Sequence, residues 1–157
     1  MSPFNIFQTA YVTADIDAAV KLAEARFAVP RMQVNRDVPI ETVCGTAHCH
    51  FALAFVGPVQ IELIAPAGGA DDVYRAMLPP GCGLRLHHIG CLLDSDAAWD
   101  AVLDEADVSG TAMPVRGDFG GLMRYVYLDR RDDLGHFVEY MQPGAGGMSL
   151  FDTVPRF

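Results

Sequence analysis

Gln60-Ile61-Glu62-Leu63-Ile64-Ala65-Pro66 returns near the end of the chain as Phe137-Val138-Glu139-Tyr140-Met141-Gln142-Pro143, with Glu62 and Glu139 77 positions apart. A second echo lies upstream. Asp17-Ala18-Ala19-Val20 is matched by Asp96-Ala97-Ala98-Trp99, 79 positions on. Two echoes at nearly one spacing describe a duplicated unit. Each half is short for a core of its own, so the two are expected to pack as one body. Duplication also places equivalent side chains around a pseudo-twofold axis, here a Gln/His pair and a Glu/Glu pair.

Working outward from the echoes, each half reads as βαβββ. Residues 7–13 form a strand signal. Asp15 or Thr13 can then cap a helix that carries Ile16, Ala19, Val20, Ala23 and Phe27 on one face and stops at Pro30. Strands are expected over 32–38, 47–56 and 59–64, with a Gly57-Pro58 turn between the last two. The second half repeats the order: a strand over 86–93, a helix over 95–106 with Ala98, Trp99, Val102, Leu103 and Ala106 inward, and strands over 112–115, 123–128 and 137–141. The boundaries follow: 5–66 for the first module, 67–84 for a linker with a short helix near 71–78, 85–143 for the second module, and 144–157 for a tail. The tail is Gly-rich but ends in apolar residues, so it is expected to dock on this chain or a neighbour. Arg130-Arg131-Asp132-Asp133 reads as a solvated hairpin loop.

The charge balance excludes some partners. The net charge is −9 and Lys21 is the only lysine. Nucleic acids and anionic membranes both need basic surface, so neither is expected. No run reaches the ~18 apolar residues of a membrane span. Met1-Ser2-Pro3-Phe4-Asn5 has no basic region of a signal peptide, and a cytoplasmic protein is expected. Cys44, Cys49, Cys82 and Cys91 make no C-x-x-C pair and read as reduced thiols.

Strand alternation assembles a candidate site. Gln8, Ala10 and Val12 share a face, as do His88, Gly90 and Leu92. So do Gln60, Glu62 and Ile64, and Phe137, Glu139 and Met141. If these faces line one curved sheet, Gln8, Glu62, His88 and Glu139 meet in an apolar cup, with Ala10 and Gly90 leaving room. Two close carboxylates repel unless a cation or shared proton relieves them. One divalent ion per site, Zn, Ni, Co, Mn or Fe, satisfies this N/O donor set.

The chain resembles the vicinal oxygen chelate superfamily, which includes glyoxalase I, methylmalonyl-CoA epimerase, extradiol dioxygenases and drug-sequestering proteins. Gln8 ahead of Asp15-Ile16-Asp17, Gln60-Ile61-Glu62-Leu63-Ile64, Leu86-His87-His88-Ile89-Gly90 and Gly135-His136-Phe137-Val138-Glu139 carry the resemblance, across residues 5–143. It implies an α+β fold of two tandem βαβββ modules in a U-shaped mixed sheet around a metal-binding cup. The metal ligands carried over are Gln8, Glu62, His88 and Glu139, a set similar to that of some glyoxalase I enzymes. The region 22–29 departs from glyoxalase I, and the His87-His88-Ile89-Gly90 stretch is closer to the epimerase-like branch.

The expected function is a metal-dependent lyase, isomerase or epimerase. It would act on a small carbonyl compound through a metal-stabilised enolate, with Glu139 as main base and Glu62 as its partner. One alternative is a metal-free sequestering protein with Phe137, Met141, Tyr125, Tyr127 and Trp99 as walls. Another is an Fe(II) dioxygenase recruiting His48 or His50. A homodimer is expected from the resemblance and from open sheet edges.

Overall fold

The computed structural model describes residues 5–157; the reading of the extreme N-terminus, Met1 to Phe4, lies outside them. The elements run β1 (Ile6–Val12), α1 (Ile16–Phe27), β2 (Gln33–Thr42), β3 (Gly45–Val56), β4 (Val59–Gly69), α2 (Asp72–Arg75), β5 (Arg85–Leu92), α3 (Asp96–Ser109), β6 (Val115–Asp118), β7 (Met123–Arg130) and β8 (His136–Pro143), then a 3₁₀ helix over Gly147–Phe151. The strands form one mixed sheet, ordered β1-β4-β3-β2-β6-β7-β8-β5, that closes on itself as a barrel.

Closure corrects the U-shaped sheet. On one side β1 and β5 pair antiparallel along most of their length. On the other, β2 and β6 meet through Thr42 and Val115. The cup therefore closes within one chain, and the open edges invoked for a homodimer are paired. Three local readings also move. β4 continues to Gly69 because it stays paired with β3 beyond the 66/67 boundary, through Gly68 opposite His48 and Gly69 opposite Ala47. α2 is a single turn, shorter than the expected 71–78. β6 starts at Val115, where 112–115 had been read as the strand.

Both longer helices cover the outside of the barrel. The Asp15 carboxylate accepts from the Asp17 and Ala18 amides and caps α1, whose Ile16, Ala19 and Ala23 bury against Ala52, Ile61, Leu63 and Ala65. Ser95 caps α3, which ends at left-handed Gly110 and buries Trp99, Val102 and Ala106 against Leu93, Val126 and Leu128. A separate core fills the barrel interior and draws on both halves of the chain, including Phe7, Phe51, Leu53, Phe55, Tyr127, Phe137 and Met141.

The tail docks on its own chain. Beyond Leu53, β3 has no β2 partner, and Phe55 bridges instead to Arg156. The Phe55 amide donates to Pro155 O at 2.8 Å, and the Phe157 amide donates to Phe55 O at 3.0 Å. Val154 is buried, and the Arg156 guanidinium lies 3.9 Å over the Phe55 ring.

Candidate active site

The sheet register brings the four predicted groups together. Glu62 on β4 lies beside Ala10 on β1, and Ala10 lies opposite His88 on β5. One row along, Gln60, Gln8, Gly90 and Glu139 follow each other across β4, β1, β5 and β8. His88 Nε2 lies 3.1 Å from Gln8 Oε1, 3.1 Å from Glu139 Oε2 and 3.4 Å from Glu62 Oε2. Gly90 is what admits Gln8. A Cβ there would stand 2.9 Å from Gln8 Oε1 and from Met141 Cε, and 3.0 Å from Gln8 Cβ.

Two further residues orient the set. The Gln8 amide nitrogen donates to Gln60 Oε1 at 2.7 Å, which turns the Gln8 oxygen toward His88. Gln60 is fully buried, and its own amide nitrogen has no partner among the described residues. The second residue is His87. Its Nε2 lies 3.1 Å from the Val73 carbonyl and its Nδ1 lies 2.9 Å from His88 Nδ1. A carbonyl only accepts, so His87 Nε2 carries a hydrogen. Burial, with His88 adding to it, pushes the His87 imidazole down to about 3. The ring is therefore neutral, and its Nδ1 accepts from His88 Nδ1–H. This chain of hydrogen bonds commits His88 Nε2 to the site. Tyr74 of α2 stacks on His87 with centroids 5.0 Å apart, so the linker both plugs the barrel and fixes this ring.

Strand alternation alone misses His87. Strict alternation turns it away from His88. In the structure Ala10 pairs with His88 and Tyr11 with Leu86, so His87 is the extra residue of a β-bulge, and both histidines are buried. A similar shift between Ile6 and Gln8 sends Phe7 and Gln8 inward together. Adjacent histidines in an apolar strand were the available signal.

Charge is tightly coupled here. Burial would push His88 down, but Glu139 and then Glu62 outweigh it and hold the ring up to about 9. Burial raises the Glu62 carboxyl, Glu139 adds to this, and His88 opposes it.

Among the described residues, no three His, Cys, Asp or Glu side chains are set out as a ready-made cation cage. The three site groups touch directly, and the fourth donor is the Gln8 amide. The donor set still fits a divalent ion. Neighbouring ligands about 2.1 Å from one ion lie roughly 3.0–3.4 Å apart, which is the spacing of these donors around His88 Nε2.

The site opens into a cup of about 620 Å³. Met141, Tyr125 and Tyr127 line it, as the sequestering alternative supposed. Phe137 is buried against His87, and Trp99 packs in the outer core under α3, so neither is a wall. His48 and His50 stay outside. His48 Nδ1 contacts the Asp37 carboxylate at 3.1 Å, and His50 Nδ1 accepts from the Asp37 amide at 3.0 Å. They lie on the β3 face opposite buried Ala47, Cys49 and Phe51, so neither supplies a dioxygenase ligand. Cys44 and Cys82 are exposed, Cys49 and Cys91 are buried, and all four are free thiols. No helix among the described residues is long and apolar enough to cross a membrane.

Solved structures with this fold include methylmalonyl-CoA epimerase from Mycobacterium tuberculosis, at 14% identity and a TM-score of 0.58 over 89% of this chain and 88% of that one. A methylmalonyl-CoA epimerase in complex with methylmalonyl-CoA and NH4+ gives 19% and 0.56 over 90% and 96%. A Streptomyces coelicolor methylmalonyl-CoA epimerase variant in complex with 2-nitronate-propionyl-CoA gives 19% and 0.55 over 88% and 96%. At these identities the likeness concerns the fold. A comparison with curated protein sequences returned no match. The family model of the Glyoxalase/Bleomycin resistance protein/Dioxygenase superfamily matches residues 7–127, most of the chain. With the barrel and its register, that match places this protein in the glyoxalase/bleomycin resistance protein/dioxygenase superfamily, the vicinal oxygen chelate superfamily.

Proposed function

We propose that this protein is a metal-dependent isomerase or epimerase that moves a proton next to the carbonyl of a small substrate. One observation carries the reading. Two buried carboxylates, Glu62 and Glu139, flank His88 Nε2 at 3.4 and 3.1 Å and both line the cup. Gln8, Glu62, His88 and Glu139 would hold the ion, which supplies positive charge where negative charge develops on a substrate oxygen.

The chain's own residues do the proton work. Glu139 takes the proton from the carbon beside the carbonyl, and the C–H electron pair moves toward the carbonyl oxygen as an enolate forms. A proton then returns to carbon from Glu139, or, on the opposite face, from a Glu62 that entered the step protonated; in that case the two carboxyls exchange protonation states and exchange with solvent resets them. Burial raises the Glu62 carboxyl, which favours its holding the proton it would deliver. Both carboxylates are buried at the inner end of the cup, which keeps them sensitive to each other.

A second reading, a sequestering protein without chemistry, draws on the same contacts. A protonated His88 satisfies both carboxylates without an ion. Two measurements separate the readings. The first is elemental mass spectrometry after reconstitution with a divalent panel, on wild type and His88→Ala. The second is deuterium exchange at the carbon beside the carbonyl, followed by NMR over a carbonyl panel, on wild type and Glu139→Gln. About one ion per chain, lost in His88→Ala, and exchange lost in Glu139→Gln support the isomerase. No retained ion, or full exchange in Glu139→Gln, overturns it.

A further inference from the structure

The cup has polarity at one end and apolar surface over most of the rest. Gln8, Glu62 and Glu139 gather at the inner end, while Phe51, Leu53, Met123 and Met141 form walls. Arg36 is the only cation among the described lining residues. It is already engaged, with its guanidinium 2.7 Å from the Asp17 carboxylate. Phosphate groups want several basic partners, and a chain with one lysine and a net charge of −9 offers few. The mouth is apolar as well. Val34, Phe119 and Leu150 line it and remain 36–38% exposed. Apolar side chains left in water around a cavity mark a surface kept for an apolar ligand.

Two walls come from the tail. Leu150 and Phe151 line the cup, and Phe151 packs against Phe7 and Phe55 with centroids 5.3 and 6.4 Å apart. The tail is anchored on both sides of this wall. The Gly144 amide donates to Leu122 O at 2.9 Å, and the 155–157 backbone bonds to Phe55 and Gly57.

We infer that the cup takes a phosphate-free, predominantly apolar carbonyl compound. Its carbonyl end meets Glu62 and Glu139, and its apolar end is read by Leu150 and Phe151 of the C-terminal tail. The placement of the carbonyl end rests on the proposed function; the apolar end rests on the cup alone.

The experiment is calorimetric titration with the 1-hydroxy-2-alkanones from 1-hydroxy-2-butanone to 1-hydroxy-2-decanone, and with methylmalonyl-CoA. It is run on ion-loaded and ion-free wild type, Leu150→Ala, Phe151→Ala and Glu139→Gln. Affinity is expected to rise about fourfold per added methylene until the cup is filled. Both tail variants should flatten the long-chain end of the series and leave its short end unchanged. A flat wild-type series, or methylmalonyl-CoA binding tighter than every hydroxyketone, overturns the inference even if the tail variants fail to fold. A steep series that the tail variants leave unflattened overturns the role of Leu150 and Phe151. If the series is steep but indifferent to the ion and to Glu139→Gln, the apolar assignment stands and the proposed reaction falls.

Discussion

Replacing His87 by Phe tests whether this ring, which lines no part of the cup, controls the group that does. The substitution keeps an aromatic ring between Tyr74 and Phe137, both with centroids 5.0 Å away, and removes both ring nitrogens. Two partners lose their hydrogen bonds: the half-buried Val73 carbonyl and the buried His88 Nδ1–H. Each orphaned group costs about 1–3 kcal/mol, so a loss of roughly 2–5 kcal/mol in urea unfolding is expected, reduced by easier burial of Phe. His88 also loses what fixes its tautomer. Outer partners of metal-ligating histidines are worth about 10–100-fold in ion affinity, and a loss of that size is expected on the proposed metal reading. His87→Gln carries one acceptor and one donor and should recover much of both losses. Ring nitrogen NMR of ion-loaded wild type should show the His88 hydrogen on Nδ1 and the His87 hydrogen on Nε2. If His87→Phe leaves the His88 tautomer in place and ion affinity within about threefold, the ring is packing and the reasoning fails.

Other expectations concern pH, space and the tail. Ion-free protein should be most stable near pH 6.5, the ordinary histidine value. His87, held down to about 3, contributes stability that is present above 6.5 and lost as pH falls toward 3. His88, held up to about 9, contributes stability that is present below 6.5 and lost as pH rises through 9. Urea midpoints across pH should trace this dome, with an acid limb of about 5 kcal/mol and an alkaline limb of about 3 kcal/mol, and a midpoint still climbing at pH 9 would contradict it. Gly90→Ala should cost about 1–3 kcal/mol by overpacking Gln8 and Met141. It should also weaken ion binding, whereas unchanged unfolding and ion affinity would show that Gln8 can give way. Val154→Asp buries a charge beneath the tail. It should cost about 3 kcal/mol or more by thermal unfolding and weaken binding of long-chain hydroxyketones, and an unshifted melting point would show the tail to be loosely held.

Much of the site was legible because duplication and alternation point the same way. Gln8 and His88 fall in strands that pair directly, and Glu62 and Glu139 fall in the strands flanking them, so period-two patterning selected the inner faces. Both long helices were legible for the same reason: Asp15 and Ser95 are real caps, and the apolar stripes behind them are the buried faces. Barrel closure was not legible. It depends on β1–β5 pairing and on the single Thr42–Val115 register contact, which join residues far apart in sequence and leave no periodic trace. The end of β4 was placed at Ile64 and the module boundary after Pro66, since the proline and the two glycines beyond it suggest a break. Pairing with β3 overrides that local preference through Gly69.

The β1–β5 seam shows why the missed residue matters. A regular ladder shows one histidine of an adjacent pair to the interior and turns the other away. Such a site would hold His88 with nothing buried to decide which ring nitrogen carries its hydrogen. The bulge at His87 breaks the alternation once and brings the second ring under the first. The linker then finishes the arrangement, with Val73 supplying the acceptor that sets His87 and Tyr74 supplying the ring that holds it. A segment that reads from sequence as a linker with a short helix therefore reaches the site through two hydrogen bonds. Changes in α2 should shift His88 through His87 and, at Tyr74, also through Tyr127, the cup wall to which the Tyr74 hydroxyl donates. Val73 acts through its backbone, so side-chain substitution there should be mild. Tyr74→Ala, which opens a buried cavity beside His87, should lower both stability and His88 tautomer order. If Tyr74→Ala destabilised the protein but left the His88 ring signals unchanged, the linker would be a plug and nothing more.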